Sequence, residues 1–280
     1  MDRVVVLGAG ELGGLLAHAL AKRGVAGEIC LVDDRGRAAD GKALDIMQAA
    51  PVEGFSARVI GSADPSLAGG AAVVVIADAF GAPEFQGDAA LTLLKRVRDF
   101  SPRSLVVCAG ALQREVVERG VLELHVPRVR LIGSAPEALV AGVRAIVAAE
   151  LRSSPRDVAV TALGVPPDHI VIPWEDATVG GFGLHRLINE PRRRRLEAGV
   201  SQLWPPGPYA LALAAAKVID TMLGRAERLV TCFIAPDDSA GRRTRTAAAP
   251  LRLNRSGVVE VVLPELNGRD RVRLDNAMLL

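Results

Sequence analysis

Short apolar runs rich in β-branched residues alternate with longer segments of helical period through the first half of the chain. Residues 4–7, 29–32, 57–60, 73–76, 105–108 and 129–132 each read as a strand. These runs are apolar at nearly every position rather than at alternate ones. That is the pattern of parallel strands buried on both faces by crossover helices, and right-handed crossovers then give a doubly wound α/β layout. A parallel sheet of six strands is therefore predicted over residues 1–134. Beyond Gly133 the rhythm changes to a helix over 137–151, a strand near 158–163 and a stretch rich in Gly and Pro. A helix over 210–223 and strand-like pieces at 229–234, 250–253 and 258–263 follow, which reads as a smaller α+β domain over 135–280.

The first strand runs into Gly8, Gly10 and Gly13, a GxGxxG spacing that opens a helix near Glu11. In such a loop the first glycine makes a tight turn, the second admits a pyrophosphate against the backbone, and the third lets helix and strand pack closely. The free N–H groups of the helix start, around Glu11 and Leu12, then face the phosphates. The second strand ends at Asp33, where a carboxylate can accept from an adenosine ribose and repel a 2′-phosphate. Strand, loop, helix, strand and acid in this order read as a Rossmann-type site for NAD, with NADP disfavoured.

Composition narrows the partners. Half the residues are hydrophobic and 24% are charged, with 34 Lys and Arg against 32 Asp and Glu for a net charge of +2. That balance gives no electrostatic basis for nucleic acid or an acidic membrane as partner. The densest basic run, Arg192 to Arg195, is read as the solvated first turn of a helix. Cys30, Cys108 and Cys232 are widely spaced in apolar runs and read as buried free thiols in a reducing cytoplasm, with no metal site. The first residues enter a strand pattern without a basic leader, and no apolar stretch reaches membrane-spanning length, so neither export nor insertion is expected.

The run GKALDIMQAAPVEGF, from Gly41 to Phe55, resembles the helix after the second strand in the lactate/malate dehydrogenase family, most closely the malate dehydrogenases. The similarity continues through Leu131-Ile132-Gly133, Ile172-Pro173 to Gly181, and Asn254 to Glu260. It implies a six-stranded NAD domain, a C-terminal substrate domain of that family's type, hydride exchange between NAD and a 2-hydroxy acid, and a homodimer or homotetramer. The kept helix from Gly41 to Ala50 is the surface that, by resemblance, meets a twin subunit.

The family's catalytic residues are not carried over. By resemblance, its proton-transfer histidine falls on Pro166, the aspartate that holds that histidine on Leu139, and its carboxylate-clamping arginine on Gly142. The two arginines of its mobile loop fall on Ala82 and Asp88, its Thr-Ala-Gly run on Ala77-Asp78-Ala79, and its Thr-Asn-Pro run on Ala109-Gly110-Ala111. A general base, its orienting anion and the cationic grip are what the reaction requires. The chain is thus expected to be an NAD-binding pseudoenzyme of this family. Two other readings stay open. In one, an active oxidoreductase uses Asp78, Glu84 or Asp88 to recognise an uncharged or cationic substrate, with His169 or His185 relaying the proton. In the other, the chain is a scaffold subunit in a mixed oligomer. The C-terminal part is expected to stop before a full terminal helix.

Overall fold

The computed structural model describes residues 2–224, 228–237 and 245–279. Its first half runs β1 (Arg3–Leu7), α1 (Glu11–Arg23), β2 (Glu28–Val32), α2 (Gly36–Glu53), β3 (Arg58–Ser62), β4 (Val73–Ile76), α3 (Gly87–Phe100), β5 (Leu105–Cys108), α4 (Arg114–Leu122), β6 (Leu131–Gly133) and α5 (Ala135–Leu151). The second half continues with β7 (Val158–Ala159), β8 (Leu163–Val165), β9 (His169–Val171), β10 (Thr178–Val179), β11 (Phe182–Gly183), α6 (Leu184–Leu187) and α7 (Glu190–Val200). It ends with α8 (Pro208–Leu223), β12 (Leu229–Ile234), β13 (Ala247–Asn254), β14 (Gly257–Val261) and α9 (Gly268–Leu279).

Strands β1 to β6 are parallel in the order β3-β2-β1-β4-β5-β6, the doubly wound arrangement that the apolar runs predict. The side chains of β1 divide between two cores. Val4 and Val6 enter the core built with α1, α2 and α8, whereas Val5 and Leu7 enter the one built with α3 and α4. Each such side chain, fully buried, contributes about 1.5–3 kcal/mol, so all-apolar strands are stable only between two helical layers. The sheet does not stop at β6: β12 pairs with it antiparallel, and β13, β8 and β9 extend the same sheet.

Three elements differ from expectation. The strand expected near 158–163 is two strands, β7 in a small sheet with β10 and β11, and β8 in the main sheet. Val160, Thr161 and Ala162 lie between them, where the chain leaves one sheet for the other. The sixth parallel strand begins at Leu131 because Arg128–Arg130 forms a 3-10 turn behind Pro127. A terminal helix of 12 residues, α9, packs on β8 and β9, with Arg273 donating to the Ile170 carbonyl at 3.4 Å.

The basic run lies on α7 among carboxylates. Arg193 and Arg194 pair with Glu190, Arg193 also with Glu197, and Arg192 and Arg195 with Glu150. The three cysteines are buried and unbridged. Burial pushes the Cys108 thiol up to about 12 and, together with Glu28, the Cys30 thiol up to about 11. Among the described residues no helix is long and apolar enough to cross a membrane.

Candidate functional site

In a doubly wound sheet the ligand site lies at the carboxyl ends of the strands, where a strand turns into a helix whose first N–H groups lack partners. Here that place is the Gly8–Gly10 turn between β1 and α1, together with the first turn of α1 that holds Gly13. Gly8 adopts φ +106°, a left-handed conformation that glycine takes without strain, and its N–H donates to the Val32 carbonyl at 2.7 Å. Gly13 lies so close to the Gly8 carbonyl that any Cβ would collide with it, which is how α1 packs tightly onto β1. Glu11 begins α1 and is exposed, and Leu12 is buried beneath it.

Two of the helix-start donors already have a partner in this turn. Asp78, the second residue after β4, is 7% exposed and turns its carboxylate onto this turn. Its oxygens accept from the Leu12 N–H at 3.1 Å and the Gly13 N–H at 2.8 Å, while its carbonyl accepts from the Gly10 N–H at 2.9 Å. A Cβ at Gly10 would collide with that same carboxylate. The space that the second glycine leaves open therefore holds the Asp78 side chain.

Asp33 is also engaged. It is 6% exposed and accepts from the backbone N–H groups of Ala9 at 2.9 Å, Arg35 at 2.9 Å and Phe80 at 2.8 Å. Lys42, from α2, reaches across the turn to donate to the Gly10 carbonyl. The Phe80 ring lies under two cations, 5.9 Å from the Arg35 guanidinium carbon and 5.8 Å from Lys42 Nζ. The cavity beside Asp33, between the ends of β1, β2 and the segment after β3, is about 50 Å³. A larger groove of about 990 Å³ opens at the opposite, amino-terminal edge of the strands, among Asp2, Arg23, Glu28 and Arg58. Its position at the wrong ends of parallel strands separates it from the glycine turn.

Residues 77–86 form a small hairpin closed by an Asp78–Glu84 bridge and by Phe85 N–H donating to the Ala77 carbonyl at 3.1 Å. At its far side Glu84 accepts from the N–H groups of Ala111 and Leu112, both at 3.0 Å, in the turn after β5. A Cβ at Gly110 would collide with the Glu84 carboxylate, just as one at Gly10 would with that of Asp78. Gln113, 1% exposed, locks the arrangement: its amide donates to the Ala77 and Phe85 carbonyls, each at 3.0 Å, and accepts from Gly110 N–H at 2.9 Å. Sequence reasoning missed Gln113 and the inward turn of both carboxylates. The one signal available was acidic residues following strands whose neighbouring turns expose backbone N–H groups.

These contacts correct the expectation that Asp78 and Glu84 face a cationic substrate, since backbone donors already hold both. Asp88 is exposed and pairs with Arg119 at 3.1 Å, and Ala82 is exposed at the hairpin tip. Pro166 lies at the end of β8, partly exposed, in the turn to β9. Leu139, 1% exposed, belongs to an apolar cluster with Val143, Val160, Ala162 and Ile172. Gly142 faces the Leu203 side chain. His169 is exposed on β9 opposite Val165, and His185 is exposed on α6.

Residues 2–99 match the family model described as the NAD-binding domain of lactate/malate dehydrogenase. The chain is 31% identical over 292 residues to a malate dehydrogenase of Thermomicrobium roseum, spanning 97% of this chain and 93% of that protein. A malate dehydrogenase of Salinibacter ruber is 29% identical over 293 residues. The solved structure of malate dehydrogenase from Salinibacter ruber superposes with a TM-score of 0.85 at 25% identity, covering 98% of this chain and 93% of that one. A lactate dehydrogenase from a Medee basin deep-sea metagenome library has the same fold, with a TM-score of 0.86 at 19% identity. The matched domain is an NAD-binding domain, and NAD is the cofactor that goes with it.

Proposed function

The chain belongs to the lactate/malate dehydrogenase family, and we propose that within it this protein is catalytically silent towards 2-hydroxy acids while retaining the NAD-binding fold. What supports this reading is that, by resemblance, the family's proton-carrying position falls on Pro166, at the end of β8. Exchange between an alcohol and a ketone moves a proton as well as a hydride, and a proline side chain has no group that titrates or donates. Two further positions, assigned by the same resemblance, support it. Leu139 packs among apolar side chains where an orienting anion is needed, and Gly142 offers no cation to a carboxylate.

Loss of base, orienter and clamp together removes groups that act as a unit. Purified protein given NADH with oxaloacetate or pyruvate is expected to turn over at least about 10⁴-fold below the 1–10³ s⁻¹ usual for enzymes. Turnover inside that usual range would end the proposal. The alternative of an active enzyme on an uncharged or cationic substrate loses two of its three acidic candidates, because Asp78 and Glu84 are committed to backbone N–H groups, while the exposed Asp88 pairs with Arg119. The three buried free thiols are consistent with a reducing cytoplasm as its compartment.

We also infer a homo-oligomer built on the face that carries α2, α1 and α8. α2 buries only Ala39, Ala43 and Ile46 in its own subunit and leaves Leu44 and Val52 exposed at 61% and 89%. On the same side of the sheet, across α1, α8 exposes Tyr209 and Leu213. Covering such a patch with a second copy is the commonest symmetric solution. Light scattering on the eluting protein is expected to give at least twice the 29.4 kDa chain mass. A Leu44→Glu variant is expected to elute as the monomer, and a monomeric parent protein would remove the inference.

A further inference from the structure

We propose that the hairpin of residues 77–86 is a built-in occupant of the dinucleotide cleft, in which the Asp78 carboxylate takes the pyrophosphate position, so that the resting protein is closed to NAD. Three independent contacts support it. The Asp78 carboxylate accepts from the Leu12 and Gly13 N–H groups, the donors that a helix start presents to phosphate, and fills the space above Gly10. The Phe80 N–H takes up the acid expected to hold the ribose, Asp33. The Glu84 carboxylate fills the turn after β5 above Gly110, on the other side of the cleft.

The adenosine side shows the same closure in volume. About 50 Å³ remains beside Asp33, against the roughly 300–1,000 Å³ that ligand pockets span. The dinucleotide does not fit this arrangement: a pyrophosphate on the α1 N–H groups and the Asp78 carboxylate exclude each other in space and repel in charge. Binding therefore requires the hairpin to leave, and the apparent dissociation constant rises by the inverse of the open fraction. The hairpin itself is held by donors that cost the open form several unpaired backbone groups, with Gln113 fastening both of its ends.

The test is NADH titration, followed by its fluorescence, on the full-length parent protein and on two variants. Asp78→Ala removes the carboxylate and leaves a small side chain. It is expected to bind NADH at least about tenfold more tightly than the parent, a difference of about 1.4 kcal/mol. Asp78→Asn keeps the shape and removes the charge, so it guards against a misfolded alanine variant and is expected to fall between the two. A parent protein that binds NADH with a micromolar dissociation constant overturns the proposal without reference to any variant. Equal affinities across all three proteins overturn it as well. The proposal is separable from catalytic silence: if Asp78→Ala binds NADH and reduces oxaloacetate, silence fails while the closure stands.

Discussion

Replacing Leu139 by aspartate is expected to destabilise the fold by about 4 kcal/mol or more, the sum of the lost apolar burial and the cost of placing an unpartnered carboxyl in the core. In a chain of this size that lowers the melting temperature by roughly 10 °C. The residue is 1% exposed in the cluster that holds Val143, Val160, Ala162 and Ile172. Where a family member carries a histidine to meet it, the aspartate has a partner. On the proposed assignment that position is Pro166, which offers the carboxyl no partner. Leu139→Met, which keeps the volume, is expected to cost less than about 1.5 kcal/mol. Thermal denaturation of the two variants checks this. An aspartate variant that melts within about 2 °C of the parent, a change of under roughly 1 kcal/mol, would mean that a polar cleft survives, and the silent reading would lose its support.

The second large effect separates two glycines of helical segments. Alanine is favoured over glycine in a helix by about 1 kcal/mol, so a helical Gly→Ala change stabilises where there is room. Gly41 in α2 has open space at its Cβ position, and Gly41→Ala is expected to raise stability by about 0.5–1 kcal/mol. Gly13 in α1 has no such room. Its Cβ would strike the Gly8 carbonyl, a backbone atom fixed by the Gly8 turn and its bond to Val32. A clash of this kind costs about 3 kcal/mol, outweighs the gain in propensity, and leaves Gly13→Ala destabilised by about 2 kcal/mol or more. Urea unfolding of both variants tests the pair, and two changes of the same sign would refute the close-packing account of the glycine turn.

The parallel sheet was legible because its signal is local and repeated. Four to five consecutive apolar residues cannot sit at a surface, and their alternation with helical segments leaves few topologies. The glycine turn was legible for a related reason: backbone conformation at Gly8 and close approach at Gly13 restrict residue identity itself. The positions of Pro166, Leu139 and Gly142 rested on the likeness to one family. Their surroundings, an apolar cluster around one and the Leu203 side chain against another, were not visible in that likeness.

The destinations of Asp78 and Glu84 were hidden, because a carboxylate finds its partner by geometry. The N–H groups it meets, at Leu12 and Gly13 or at Ala111 and Leu112, belong to the backbone and carry no mark in the residue code. The split of 158–163 between two sheets, and the helix from Gly268 to Leu279, depended likewise on what each segment packs against. By itself the amino-acid order determined the strand succession and the turn that glycine alone can make, since each is set by residue types along a local stretch. Only the tertiary structure decided that the cleft is filled from within, because that follows from distances between backbone donors and acids as many as 66 positions apart.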